Sequence, residues 1–252
     1  MADTDFFDGW IGKVVDFPSG GPWTLTELLR ETAYQAEAVD YYKRSEISGG
    51  RGTFVCMNTN NETRIMQVYM QLPFQGSECA PAEVRGQQAS PNPECLSSSE
   101  INDFTTLTEN GCRSTPNILR IRYDLQDAAG HIPGGYIVFM LLNWLPGIRL
   151  SEQFFWKLPD GQRWQVRNAF KAAWLDCVAS GICPGIPDPE HLLWDEATNT
   201  IYITEFEESY PADETSVWRD IEWIAWCMAK PPKYYRWAGN RTVHPDMSDW
   251  VL

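Results

Sequence analysis

Polar and apolar residues alternate in short spans through the first half of the chain, and apolar residues recur at three- and four-residue spacing through much of the second. The alternation predicts strands at residues 53–57 and 64–71, with the run from Asn58 to Asn61 as the hairpin turn between them. Two further strands are expected at residues 118–123 and 135–142. Helices are expected from Thr24 to about Arg44, where Thr24 and Glu27 form a capping box, and from Ser97 to about Asn110, where Ser97 and Glu100 repeat it. In the second half, Trp164, Ala169, Phe170, Ala173, Trp174, Cys177 and Val178 mark an amphipathic helix ending near Gly181. A last helix is expected over residues 214–229. Between these helices, residues 191–194 and 201–204 read as a strand pair around the turn Asp195–Asn199, followed by Glu205, Glu207 and Glu208.

The remaining stretches divide the chain. Residues 1–22, aromatic and glycine-rich without periodicity, predict a packing arm. Ser48 to Gly52 reads as a glycine-rich turn, and the Pro-rich residues 72–98 as an irregular insertion and candidate lid. The arrangement expected is an arm and helix over 1–44, a strand-rich lobe over 45–143 and a helical lobe over 144–252, hinged near 143–150.

Composition narrows the function classes. The chain has 252 residues, enough for a substantial core. Its 34 acidic and 20 basic residues give a formal charge of -14, which opposes binding to nucleic acid or an anionic membrane surface. The opening MADTDFFDGW has no basic, apolar leader, and the longest apolar run, residues 136–142, is too short for a bilayer, so no membrane insertion is expected. Seven Cys without a CxxC pair fit reduced thiols in a cytoplasmic protein, and the sequons at Asn61 and Asn240 are then incidental.

The segment Gly181-Ile-Cys-Pro-Gly-Ile-Pro-Asp-Pro-Glu-His-Leu-Leu-Trp-Asp195, followed by Ile203-Thr-Glu-Phe-Glu207, resembles the protein-kinase-like and aminoglycoside-phosphotransferase-like fold. The nearest resemblance is to compact kinase-like proteins of filamentous fungi, over roughly residues 45–229. It implies an α+β, two-lobed fold with an antiparallel-sheet N-lobe and a mainly helical, truncated C-lobe. It also places Ile186 where the family has its catalytic Asp, His191 at the metal-binding Asn and Glu205 at the metal-binding Asp. Gln67 stands at the phosphate-anchoring Lys, while Glu100 matches the helix glutamate. Isoleucine cannot accept a proton, and a neutral amide cannot pair with phosphate, so phosphoryl transfer, ATP and a metal cofactor are not expected.

Two function classes follow. In one, the inherited cleft binds an apolar small molecule and transforms it by non-redox cyclisation, isomerisation or dehydration, a chemistry at home in fungal secondary metabolism. His191, Glu205, Glu207 and Asp188 are the candidate acid/base residues, with Gln67, Glu100, Trp144 and Ile186 lining the pocket. For His191 the alternative is a structural His bonded to a strand-end carboxylate, and for Asp188 a turn residue. In the other class the protein is a noncatalytic scaffold or regulator of a partner protein. A residual small-molecule phosphotransferase is a third reading.

Overall fold

A computed structural model describes residues 5–236 and 242–252, so Asn240 lies outside the described residues. The chain is α+β and divides into two compact units, one of residues 1–98 and 118–144, the other of residues 99–117 and 145–252.

The first unit contains β1 (Val14–Phe17), β2 (Gly21–Tyr34), α1 (Ala38–Arg44), β3 (Ser48–Asn58), β4 (Thr63–Leu72), α2 (Ala82–Arg85), the start of α3 (Cys95–Glu109), β5 (Ile118–Leu125) and β6 (Tyr136–Leu142). The strands form one antiparallel sheet in the order β1-β2-β3-β4-β6-β5. One face of it carries the core, where Val15, Trp23, Leu25, Phe54, Met66, Val68, Met70 and Phe139 pack with Phe6, Phe7 and Trp10 of the N-terminal arm. The arm packs as expected through Phe6, Phe7 and Trp10, but its residues 14–17 form β1 and its end, from Gly21, opens β2.

Three expectations need correction in this unit. The helix expected from Thr24 is β2, and only its end, α1, is helical. Two β-bulges account for the misreading: Thr26 and Leu29 are extra residues between Leu25/Glu27 and Leu28/Arg30, so the two-residue alternation breaks and Leu25, Leu28 and Leu29 fall at helix-like spacing. The glycine-rich stretch is no turn but the start of β3, paired to β2 and β4 and buried. The stretch 72–98 contains α2 and a 3₁₀ turn at Gly86–Gln88, and it is pinned by side chains. Gln71 donates to the Gln88 carbonyl (2.7 Å), the Gln88 side chain accepts from Phe74 N (3.0 Å), and Arg85 donates to the His131 carbonyl (2.6 Å).

The second unit holds the rest of α3, β7 (Ile148–Arg149), α4 (Glu152–Lys157), α5 (Asp160–Ala179), β8 (Ile182–Cys183), β9 (Leu192–Asp195), β10 (Thr200–Ile203), β11 (Tyr210–Pro211) and α6 (Glu222–Ala225). β10, β9 and β7 form one small sheet, β11 and β8 another. Helix α5 buries Val166, Phe170, Ala173, Trp174 and Cys177, whereas Trp164 is exposed. The expected helix over 214–229 shrinks to α6. Asp213 takes up backbone and hydroxyl donors of Thr215 and Ser216, a local competition that favours turns, and Cys227 has a left-handed backbone (φ 56°). Trp218 and Trp226 are nevertheless buried against Phe170, at centroid distances of 5.8 and 4.8 Å. Among the described residues no helix is long and apolar enough to cross a membrane.

Candidate functional site

The loop after β8 is held tightly. A Cβ on Gly185 would lie 2.3 Å from the backbone carbonyl of Glu208, so only glycine lets the two segments close up, and Ile186 N then donates to the Glu207 carbonyl at 3.2 Å. Asp188 caps the following 3₁₀ turn, Pro189–His191, by accepting from Glu190 N at 2.8 Å. This turn carries His191 inward, while Thr204 at the end of β10 donates both its N–H and its hydroxyl to the His191 carbonyl.

His191 and Glu205 meet as expected. His191 Nε2 lies 3.3 Å from Glu205 Oε2, and both residues are buried. The contact is off the line of a hydrogen bond, and Nε2 has no aligned partner. His191 Nδ1 lies 3.2 Å from the Ile186 carbonyl, which can only accept, so Nδ1 carries the ring hydrogen there. Arg149, on β7, completes the group: its Nη1 is 3.7 Å from Glu205 Oε1 and donates to the Glu190 carbonyl. Sequence reasoning missed Arg149, since nothing in a two-residue strand marks an Arg as the neighbour of a carboxylate 56 positions away.

The other nominated residues hold local places in their own units. Asp188 is a capping residue. Glu207 is half-buried and contributes its carbonyl to Ile186 N. Gln67 is buried in β4 and accepts from the Tyr69 hydroxyl at 2.9 Å. Glu100, buried on α3, accepts from Phe206 N at 3.3 Å, and one turn on, Phe104 packs edge-on against Phe206. Asp103 on the same helix accepts from Ser209, and burial pushes its carboxyl above the usual range despite that bond. Trp144 and Ile186 are exposed.

A pocket that the sequence did not disclose lies beside this loop in the second unit. It measures about 210 Å³, with Trp174 and Trp226 as aromatic walls, Pro184, Gly185 and Pro187 on one side and Val217 on another. Into it face Cys183, Tyr210, Arg219 and Glu222. Burial pushes the Glu222 carboxyl above the usual carboxylate range, against the opposing pull of Arg219, whose Nη2 is 3.1 Å away. Burial also pushes the Cys183 thiol up, and the thiol's hydrogen bond takes the Tyr210 hydroxyl to about 12. Both groups are therefore neutral hydrogen-bonding groups at physiological pH. A trace of the pocket was present in sequence, since Glu222 stands between the apolar residues Ile221 and Trp223.

Neither His191 nor Glu205 lines this pocket. Among the described residues, no group of three or more His, Cys, Asp or Glu is arranged to hold a metal ion. Compared with known proteins, the chain matches no family model and no curated sequence.

Proposed function

We propose that the protein is a kinase-like scaffold that has given up phosphoryl transfer and binds a compact apolar molecule, on which it moves a proton. The observation that carries this reading is Glu222: a carboxyl raised by burial, in an aromatic-walled pocket that Pro184, Gly185 and Pro187 of the loop carrying Ile186 also line. A carboxyl whose pKa is raised by burial holds a proton more readily than a free one and can give it up and take it back, which is the requirement for non-redox isomerisation, cyclisation or dehydration. Tyr210, Cys183 and Arg219 supply donors that hold a carbonyl or hydroxyl of the ligand in place. His191, Glu205 and Arg149 act behind the site, fixing the 186–191 turn. Support for the kinase-like frame comes from Glu100, which meets the backbone of Phe206 within the Glu-Phe-Glu segment. Biosynthesis of a small apolar metabolite is the setting that fits such chemistry.

The test compares small-molecule pools in a host expressing the wild type or Glu222→Gln. A compound pair that is isomeric, or differs by one water, should appear with the wild type and vanish with the variant. Magnesium-dependent phosphoryl transfer from ATP by purified protein, abolished by Glu205→Ala, would overturn the proposal.

A noncatalytic role has one observation in its favour. Along β5, Leu119, Ile121, Tyr123 and Leu125 lie at alternate positions and are all exposed, an apolar stripe suited to a partner protein. Loss of partner capture in Tyr123→Ser, with unchanged metabolite pools in Glu222→Gln, would select that reading.

A further inference from the structure

The sheet of the first unit begins with β1 and ends with β5, and these edges approach each other without pairing. Arg122 spans the gap, donating from Nη1 to the backbone carbonyl of Asp16. Beside this bridge is a groove of about 660 Å³, within the range of roughly 300–1,000 Å³ that takes small molecules.

Its floor and its rim differ in chemistry. Met70, Ile137, Phe139 and Trp10 form an apolar floor continuous with the core. The rim carries both signs of charge: Lys13 and Arg122 against Asp8, Asp124 and Asp127. Each cation lies over an aromatic ring of the floor, Lys13 Nζ 4.1 Å from the Trp10 centroid and the Arg122 guanidinium 5.0 Å from that of Phe139. Arg122 also pairs with Asp124 at 2.7 Å, but both side chains are partly exposed, and such a pair is weak enough for a ligand to rearrange. The His131 ring is fixed as a wall, because its Nε2 donates to the Phe6 carbonyl at 2.8 Å.

A simple anion would gain from Lys13 and Arg122 but meet three carboxylates, and a simple cation would meet the reverse. A molecule carrying both charges a few bonds apart satisfies both halves of the rim. We propose that this groove binds a small dipolar molecule with a flat or bulky apolar body, in chemical class an aromatic α-amino acid or a close derivative. Its carboxylate engages Arg122 and Lys13, its ammonium faces the Asp124 and Asp8 side, and its body lies against the exposed apolar side chains of Val14 and Leu125 that also line the groove. This site uses none of the residues assigned to the Glu222 pocket, so either assignment can fail without the other.

Three probes test it by calorimetric titration into the full chain: L-phenylalanine, 3-phenylpropanoate, which lacks the ammonium, and phenethylamine, which lacks the carboxylate. L-phenylalanine should bind saturably, and each singly charged analogue at least about tenfold more weakly. Arg122→Lys keeps the charge but loses the planar fork, and should weaken L-phenylalanine about tenfold. Lys13→Met, at an exposed position where folding is not at stake, should weaken it as well. Equal binding of the three probes, no saturable binding of L-phenylalanine, or variants that bind as the wild type does would each overturn the proposal.

Discussion

At Gly52 the chain has no room for a methyl group. A Cβ there would stand 2.6 Å from Phe54 Cε2 and 2.8 Å from Phe7 Cδ1, and both rings are buried, so neither can swing away. Gly52→Ala would gain some stability by restricting the unfolded chain, but overpacking costs about 1–3 kcal/mol and dominates. A lower urea midpoint with an unchanged slope is the expected result. The buried His191–Glu205 pair predicts a second loss. Removing one of two buried polar side chains in contact takes that neighbour from the other, at a cost of roughly 1–3 kcal/mol. Arg149 still faces Glu205, so His191→Ala should fall at the lower end of that range, and Glu205→Ala should leave Arg149 its bond to the Glu190 carbonyl. Equilibrium unfolding of the two variants checks both. The meeting of His191 with Glu205 was legible in sequence because short-range spacing delivers both to the ends of one hairpin. Glu222 and Arg149 were not, because their roles depend on segments that only the tertiary fold brings alongside.

Among whole elements, the legible ones were those with an uninterrupted period. The hairpin β3–β4 was readable from its turn, where Asn61 adopts φ 62°, and β6 and α5 from their apolar runs and faces. β2 was not, since its bulges imitate a helix, and neither was the breakdown around α6, where Asp213 and its neighbours favour turns. Element junctions carry their own prediction. Asp176 on α5 clamps the connector between α3 and β5 by accepting from Arg113 N (2.9 Å), Ser114 N (3.0 Å) and Cys112 Sγ (3.4 Å). Burial alone would raise its pKa, but these hydrogen bonds outweigh it and hold the carboxyl below the usual range. A depressed folded value means the stabilisation is present above the unfolded pKa, near 4, and is lost as pH falls through the folded value. Asp176→Asn should therefore cost about 1–2 kcal/mol near neutral pH, and its deficit against the wild type should shrink below about pH 4. Urea titrations across that pH range decide it; a deficit independent of pH would mean that the charge is irrelevant to the clamp.

For the molecule as a whole, the decisive fact is that the chain passes between its two units three times, after residues 98, 117 and 144. The sequence pattern divides the chain into contiguous pieces, with boundaries at residues 44 and 143, because a linear pattern can mark a change of composition but not a return of the chain to an earlier unit. The contacts cut it differently. Residues 99–117 fall inside the strand-rich half of the sequence, yet α3 buries Phe104 against Phe206 and offers its Glu100 carboxylate to the Phe206 backbone. Ile101, Phe104 and Leu107 are all nearly inaccessible on this helix. A fragment of residues 1–144 would uncover Phe104 where Phe206 packs and remove the Phe206 and Ser209 donors from the buried carboxylates of Glu100 and Asp103, a combination that favours aggregation over folding. Expressed alone, that fragment should be largely insoluble; coexpressed with residues 145–252, it should be recovered as a soluble complex. Replacing Phe104 by a polar residue should improve the solubility of the fragment while weakening the complex, because the same side chain serves both outcomes. Soluble, cooperatively unfolding 1–144 on its own would show that α3 does not need residues 145–252 to cover its apolar face.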